Sequence, residues 1–338
     1  MQSSKTQADL PLSALPRPQE LSEFAAQGFI DAAVERHQPI VLRNFAAHWP
    51  IVMQSKHSLS SVAQQIAAEN TGRPVKLVTL PQSGWMFYTD DLRGMNFSVS
   101  TATLADAMQS MLQAANSLPH CVQCIGVREH LPTLLPSLDN PLTPNVDPFI
   151  WIGNAVRVAP HFDEANNIAV VAAGKRRFTL FPPEQVSNLY IGPLDYTPAG
   201  QPISLVDIHA PDLNRFPRYQ SAYDAALSVE LDAGDAIFIP TPWWHAVESL
   251  SSFNVLVNYW WSGRHLSSTL PFPMMMHALQ ALNAMPNGER EAWKSLLRHY
   301  VLTEDAGAHL PDSVRGILGK QSKDNANLID QWLKSQLR

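Results

Sequence analysis

Between Cys121 and Ser262 the sequence consists of short runs rich in β-branched and aromatic residues, separated by proline and glycine. Regularly spaced short strands of this kind are typical of a sandwich, a barrel or a jelly roll. The pattern therefore predicts a mainly β core. Its clearest strands are Asn167 to Ala173, Arg177 to Phe181, Ala236 to Ile239 and Phe253 to Trp261.

The segment before this core is predicted to be a mixed α/β extension. Residues 1–20 are expected to form a flexible arm, and Ser22 is a candidate N-cap for a helix over Glu23 to Glu35. The apolar pattern then predicts two short strands and two helices. These are strands Ile40 to Leu42 and Val75 to Thr79, and helices Leu59 to Glu69 and Thr103 to about Ala115.

The segment after the core is predicted to be helical. Residues 21–265 are expected to form the extension and the β core, and residues 266–338 a separate helical region. Three helices are predicted there, over Met274 to Ala284, Glu289 to Tyr300 and Asn325 to Leu337. A long segment inside the core, Tyr190 to Ala226, is rich in proline and aspartate and is predicted to be a lid or a binding loop.

Charge and composition disfavour two classes of partner. The formal net charge is −6, which gives no electrostatic footprint for nucleic acid or an anionic membrane surface. No apolar run approaches the length of a membrane span, and the first ten residues lack the apolar stretch of a signal peptide. With only Cys121 and Cys124 present, a reducing cytoplasm is the expected location.

The triplet His161-Phe162-Asp163 and the distant His245 are candidate metal ligands. In a strand, residues i and i+2 share a face, so His161 and Asp163 are expected to point into one cavity, with Pro160 placing the pair at a strand start. Two imidazoles and one carboxylate on one face of a metal suit non-haem Fe(II). The alternative is that both histidines are unrelated polar residues at strand ends and that Asp163 caps a turn.

The motifs around these residues resemble those of the Jumonji-C, cupin-like hydroxylases, most of all the branch that contains the factor-inhibiting-HIF asparaginyl hydroxylase. The resemblance covers roughly residues 15 to 265. It rests on the runs His161-Phe162-Asp163-Glu164, Asn167, Gly174-Lys175-Arg176-Arg177-Phe178, Leu180-Phe181-Pro182-Pro183, Gly234-Asp235, Ile239-Pro240, Trp243-Trp244-His245, Glu248-Ser249 and Val257-Asn258-Tyr259-Trp260, and on Pro39-Ile40-Val41-Leu42-Arg43 and Trp49-Pro50 near the start.

This resemblance implies a double-stranded β-helix, also called a jelly roll, and an Fe(II)- and 2-oxoglutarate-dependent oxygenase. By the same resemblance, His161, Asp163 and His245 would hold the iron. Asn167 and Asn258 would line the 2-oxoglutarate pocket, and Trp260 would be an aromatic wall near it.

Two departures from the family pattern concern the co-substrate. The family's 2-oxoglutarate-binding lysine falls on Arg176, and a threonine that assists in some members falls on Val158. An arginine can hold a carboxylate with two parallel hydrogen bonds, so the exchange is chemically tolerable. The adjacent Lys175 is expected to face the other way because strand side chains alternate.

The predicted function is hydroxylation of a C–H bond, with a protein or peptide as the expected substrate and a homodimer formed through the C-terminal helices. A small-molecule hydroxylase is one alternative. A cupin-like binding protein without oxygenase activity is the other.

Three further patterns receive simpler interpretations. Cys121 and Cys124 form a C-x-x-C, but they lie in a predicted strand and are expected to be packing residues rather than a redox or zinc pair. The methionine run 274–276 is expected to pack in a core or at a dimer interface rather than to bind copper or another soft metal. Asp207 and His209 are expected to be solvated loop residues, with contact to the substrate as the alternative.

Overall fold

The computed structural model describes residues 10–23, 28–113, 118–262, 270–304, 306–320 and 322–336. The chain divides into two compact units, Met1–Trp261 and Ser262–Arg338.

The first unit is built around two β-sheets. The strands, in chain order, are β1 Gln19–Leu21, β2 Ile40–Leu42, β3 Val75–Thr79, β4 Trp85–Met86, β5 Ser98–Ala102, β6 His120–Gly126, β7 Phe149–Gly153, β8 Arg157–His161, β9 Asn166–Ala173, β10 Lys175–Phe181, β11 Leu227–Asp232, β12 Ala236–Ile239, β13 Trp244–Ser249 and β14 Asn254–Trp261. The large sheet has the order β1-β2-β12-β9-β14-β7-β6-β3-β5, and the small sheet the order β11-β10-β13-β8-β4.

The inner faces of the two sheets share one hydrophobic cluster. Val171 and Leu256 of the large sheet belong to it together with Phe178 and Val247 of the small sheet. The chain passes from one sheet to the other through Gly174, whose φ of +78° suits a residue without a side chain. Two mainly antiparallel sheets packed in this way form the predicted jelly-roll core.

The second face of the large sheet is covered by helices. Strand β9 is buried along its whole length, because Ile168, Val170 and Ala172 pack against helical residues on the side away from the small sheet. The helices of this unit are α1 Phe29–Arg36, α2 Pro50–His57, α3 Leu59–Glu69, α4 Leu104–Leu112, α5 Val127–His130 and α6 Tyr219–Asp224. The predicted capping residue Thr103 accepts a hydrogen bond from the Asp106 backbone N–H, 3.1 Å away.

The start of the chain differs from its predicted structure in two places. Helix α1 begins at Phe29 rather than Glu23, since Gly28 before it has a left-handed φ of +76°. Ser22 and Glu23 are not helical, and residues 24–27 lie outside the described residues. Residues 10–20, expected in a loose arm, include the buried Leu12 and Leu15, and β1 pairs in parallel with β2.

The turn before β12 depends on the buried carboxylate of Asp235. This group accepts hydrogen bonds from Arg43 Nη1 at 2.6 Å and from the backbone N–H groups of Asn44 and Asp232 at 3.0 and 3.1 Å. Its removal breaks the ion pair with the partly buried Arg43, which keeps its bonds to Glu20 and to the Glu230 carbonyl, and takes the side-chain acceptor from two backbone N–H groups. We expect Asp235→Ala to lower the free energy of unfolding by about 2–4 kcal/mol in urea denaturation. Asp232→Ala, at a 73% exposed side chain, is the matched control, expected within about 0.5 kcal/mol of the unsubstituted protein. Equal effects of the two substitutions would contradict this assignment.

The second unit is helical, as predicted. Its helices are α7 Pro271–Leu282, α8 Asn287–Tyr300 and α9 Lys323–Gln336. Among the described residues of the whole chain, no helix combines the length and the apolar character that crossing a bilayer would require.

Candidate metal centre

His161 and His245 come together because β8 and β13 are antiparallel neighbours. The two residues are direct partners in the strand register. Asp163 lies two residues beyond the end of β8, in the link to β9, so the prediction that Pro160 begins a strand is wrong. The proline is tolerated near the strand end because β4, the neighbour on its other side, pairs only with Arg157 and Val158.

The three side chains have a geometry suited to one cation. Each offers one ligand atom, and these atoms lie within 4.8 Å of one another. The His245 Nε2 and the Asp163 Oδ2 are 3.7 Å apart, and the centroids of the two imidazole rings are 4.3 Å apart. A two-histidine, one-carboxylate set of this kind is the donor set of non-haem Fe(II) sites.

Backbone carbonyl groups orient both imidazoles. Nδ1 of His161 lies 3.0 Å from the Ala159 carbonyl oxygen, and Nδ1 of His245 lies 3.1 Å from that of Trp243. When Nδ1–H donates in these bonds, each Nε2 carries the free lone pair that a metal requires. Burial and the neighbouring His161 lower the pKa of His245 to about 4, so this imidazole is neutral at pH 7.

Two N–H donors hold the carboxylate of Asp163. The Trp260 indole donates to Oδ2 at 2.9 Å, and the Asn167 amide donates to the same oxygen at 3.2 Å. Asn258 in turn donates to the Asn167 Oδ1 at 3.0 Å. The backbone carbonyl of Asp163 accepts a bond from the Thr241 hydroxyl at 2.6 Å, which fixes the link between β8 and β9.

The metal ligands open into a cavity of about 100 Å³ between the two sheets. All four residues predicted to bind the co-substrate line this cavity, namely Asn167, Arg176, Asn258 and Trp260. Met86 and Val158 contribute apolar wall. The structure therefore brings the whole predicted site together in one place.

Arg176 is a buried cation that forms no ion pair with any of the described residues. The residue is 7% exposed, and its Nε has no hydrogen-bond partner. Burial lowers its pKa to about 10, and no carboxylate of the described residues offsets that effect, so the guanidinium is still charged at pH 7. By contrast, Lys175 faces the outside as predicted, where it pairs with Glu230 at 2.9 Å. An unpaired buried cation is costly, which points to an anionic ligand.

The long loop supplies part of the cavity wall that the sequence alone did not identify. Pro198, Ala199, Gln201 and Ile203 line the cavity, and the Gln201 Oε1 is buried without a hydrogen-bond partner. Only the length and composition of the segment pointed to a role at the site. No spacing rule could have selected Gln201.

Asp207 and His209, in the same loop, do not line the metal cavity. Asp207 lies 3.8 Å from Arg157, and the His209 Nε2 lies 3.8 Å from Glu248. Both residues line a separate small cavity outside the small sheet.

The two cysteines are free and differ in exposure. Cys121 is buried, in line with its interpretation as a packing residue, whereas Cys124 is exposed. Burial raises the pKa of Cys121 to about 12. Since the thiolate is the reactive form, we expect iodoacetamide at pH 8 to alkylate Cys121 of the native protein at least about tenfold more slowly than free cysteine. Mass spectrometry of peptides would follow the reaction, with urea-unfolded protein as the control, and rapid loss of the native Cys121 thiol would contradict this expectation.

Comparison with known proteins places this geometry in a family. Residues 25–266 match the family described as "Cupin-like domain". The lysine-specific demethylase JMJ31 of Arabidopsis thaliana is 34% identical over 119 residues, which are 35% of this chain and 21% of that protein. The bifunctional peptidase and (3S)-lysyl hydroxylase JMJD7 of Homo sapiens is 26% identical over 67% of this chain and 77% of its own length. The tRNA wybutosine-synthesizing protein 5 of Mus musculus is 36% identical over 32% of this chain and 30% of its own length.

The matched family and the jelly roll agree, and the chain belongs to the cupin-like Jumonji-C domain family. The part of the chain that matches the demethylase JMJ31 spans only about a fifth of the length of that protein.

Proposed function

We propose that this protein is an Fe(II)- and 2-oxoglutarate-dependent oxygenase that hydroxylates a C–H bond. One observation carries the proposal. The unpaired, buried guanidinium of Arg176 lines the same cavity as the His161, Asp163 and His245 cluster. A ligand with a metal-binding end and a distant carboxylate would satisfy both features, and 2-oxoglutarate is such a ligand.

The donor set fits the metal that the family implies. His161, Asp163 and His245 would hold Fe(II), which when bound supplies the activation of oxygen at positions that the protein leaves open. Two neutral imidazoles and one carboxylate give the site a net charge of +1 with the ion, which favours an anionic co-substrate.

The remaining residues bind and orient the co-substrate. Arg176 would hold the far carboxylate by two parallel N–H···O bonds, because its fork matches carboxylate geometry. Asn258, already tied to Asn167, keeps one amide N–H for the co-substrate. The apolar side chains of Met86, Val158 and Phe178 exclude water from the cavity.

We propose a protein or peptide side chain as the substrate. The resemblance to the asparaginyl hydroxylase branch supports this substrate class, and so does the lysyl hydroxylase among the relatives. The net charge of −6 does not favour nucleic acid. A small-molecule hydroxylase would use the same ligands with a smaller entrance.

Anaerobic addition of 2-oxoglutarate to the Fe(II)-loaded protein tests the proposal. We expect a visible metal-to-ligand charge-transfer band that saturates with 2-oxoglutarate. Succinate, which lacks the 2-oxo group, is the control and should give no band. Metal binding without the band would instead indicate a cupin-like binding protein, and the absence of metal binding would exclude both functions.

The C-terminal helices support the proposal of a homodimer. Neither α7 nor α8 contains a buried residue, and their exposed side chains include Met274, Trp293, Leu296 and Tyr300. Large apolar side chains exposed in this number on neighbouring helices favour a partner surface. We expect the protein to have twice the chain mass in light scattering at micromolar concentration, and Trp293→Glu with Leu296→Glu to reduce it to one chain. Lys294→Glu, at a 74% exposed neighbour, is the control. A monomeric unsubstituted protein would contradict the proposal.

We also propose a cytoplasmic location, since both cysteines are free thiols and a reducing compartment keeps them so. Fractionation of cells that produce the protein tests this location directly.

A further inference from the structure

The side chain of Trp260 does more than form a wall of the cavity. Its indole N–H donates to the Asp163 Oδ2 at 2.9 Å, although the sequence assigned it only to an aromatic surface. We propose that Trp260 is a positioning residue, which together with Asn167 orients the carboxylate of Asp163 toward the two imidazoles, where the metal would bind. This inference rests on the proposed metal site.

Both hydrogen bonds reach the same oxygen, Oδ2 of Asp163. This is also the oxygen that lies 3.7 Å from the His245 Nε2. The two donors therefore hold the carboxylate beside the imidazoles, in the cluster whose candidate ligand atoms lie within 4.8 Å of one another.

The strand register makes this arrangement rigid. Trp260 of β14 and Asn167 of β9 are direct partners in an antiparallel ladder, so their side chains leave the sheet side by side on the inner face. Asn258 lies two residues before Trp260 on the same face and donates to Asn167. The donors therefore stand on two buried central strands, while Asp163 itself lies in a link without regular structure.

The two hydrogen bonds to Asp163 have a consequence for metal binding and not only for packing. Asp163 lies beyond the end of β8, and without the two donors its side chain could turn about χ1 and χ2. Because the two hydrogen bonds order the Asp163 side chain before a metal binds, metal binding does not have to offset the entropy lost in fixing χ1 and χ2. Partners of this kind change metal affinity by 10–100-fold when they are removed.

Trp260→Phe tests the inference because it removes the N–H and keeps a ring against Phe149, whose ring centroid is 5.4 Å from that of Trp260. Co(II) alone is titrated into the protein without 2-oxoglutarate, and its visible absorption is recorded. We expect the dissociation constant to rise about 10–100-fold and the shape of the spectrum to change as the carboxylate reorients. A wall residue that served only packing would leave both measurements unchanged.

The adjacent Trp261→Phe is the matched control. Its ring packs near Phe238, with centroids 5.9 Å apart, and it does not line the metal cavity. We expect unchanged Co(II) affinity for this variant. Asn167→Ala, which removes the second donor, should also weaken Co(II) binding about tenfold or more, and it decides the question if Trp260→Phe does not fold.

The outcomes separate this inference from the proposed function. If Asp163→Ala loses Co(II) while Trp260→Phe and Asn167→Ala bind it as the unsubstituted protein does, the positioning role is wrong and the metal site stands. If Asp163→Ala still binds Co(II) normally, the metal site is wrong and both proposals fall. Weaker binding in both donor variants, with Trp261→Phe unchanged, supports the inference.

Discussion

Asp163→Ala is expected to bind Fe(II) at least about 100-fold more weakly than the unsubstituted protein and to lose oxygenase turnover. Asp163 is the single carboxylate of the metal cluster, so its removal leaves two neutral imidazoles at one divalent cation. Removing a residue that only orients a metal ligand typically lowers metal affinity 10–100-fold. Removing the ligand itself must lower metal affinity by more. Anaerobic titration with Fe(II) and oxygen consumption would measure the two effects.

Asp207→Ala is the matched control for this substitution. Asp207 forms the other aspartate and histidine pair at i and i+2, with His209, but it lies outside the metal cavity beside Arg157. We expect its Fe(II) affinity to match that of the unsubstituted protein. Normal iron binding by Asp163→Ala would show that the cluster does not hold the metal.

Arg176→Met is expected to raise the dissociation constant for 2-oxoglutarate at least about 100-fold while metal binding persists. The substitution removes the buried guanidinium that lines the cavity, which has no ion-pair partner in the part of the chain that the structure describes, and it keeps a side chain of similar length. Hydrogen bonds to a charged group contribute roughly 1.5–3 kcal/mol each, and two of them are lost. The intensity of the charge-transfer band against 2-oxoglutarate concentration gives the affinity.

Two related variants sharpen this prediction. Arg176→Lys keeps the charge without the planar fork, so we expect an affinity between those of the unsubstituted protein and Arg176→Met. Arg177→Met removes an arginine that faces outward and pairs with Glu230 and Glu248, and its 2-oxoglutarate affinity should not change. Arg176→Met should also be at least as stable as the unsubstituted protein, because it removes a buried charge without a partner. Unchanged 2-oxoglutarate affinity in Arg176→Met would refute the assignment.

The alternation of side chains along strands made much of the site predictable. Alternation placed Lys175 outside once the family resemblance had placed Arg176 inside, and the resemblance alone selected Asn258 and Trp260, which the structure has on one face of β14. These residues lie in regular strands, where the side-chain direction follows from position alone. The meeting of His161 with His245 is a long-range pairing, which the sequence suggested only through the motif around each residue.

The remaining features depend on irregular backbone and tertiary contacts. Asp163 faces the cavity from beyond the end of β8, so the same-face argument gave the correct direction from an incorrect strand boundary. Gln201 reaches the site from a loop without periodicity, and the bond from Trp260 to Asp163 needs the register of two strands. Leu12 is buried against a surface formed much later in the chain, which local pattern does not reveal.

A crystal structure of the protein soaked anaerobically with Mn(II) and 2-oxoglutarate tests the central claim most directly. The proposed function predicts one metal ion bound by His161, Asp163 and His245, with the far carboxylate of 2-oxoglutarate on the guanidinium of Arg176. An ion bound elsewhere, or 2-oxoglutarate absent from the cavity at saturating concentration, would contradict it.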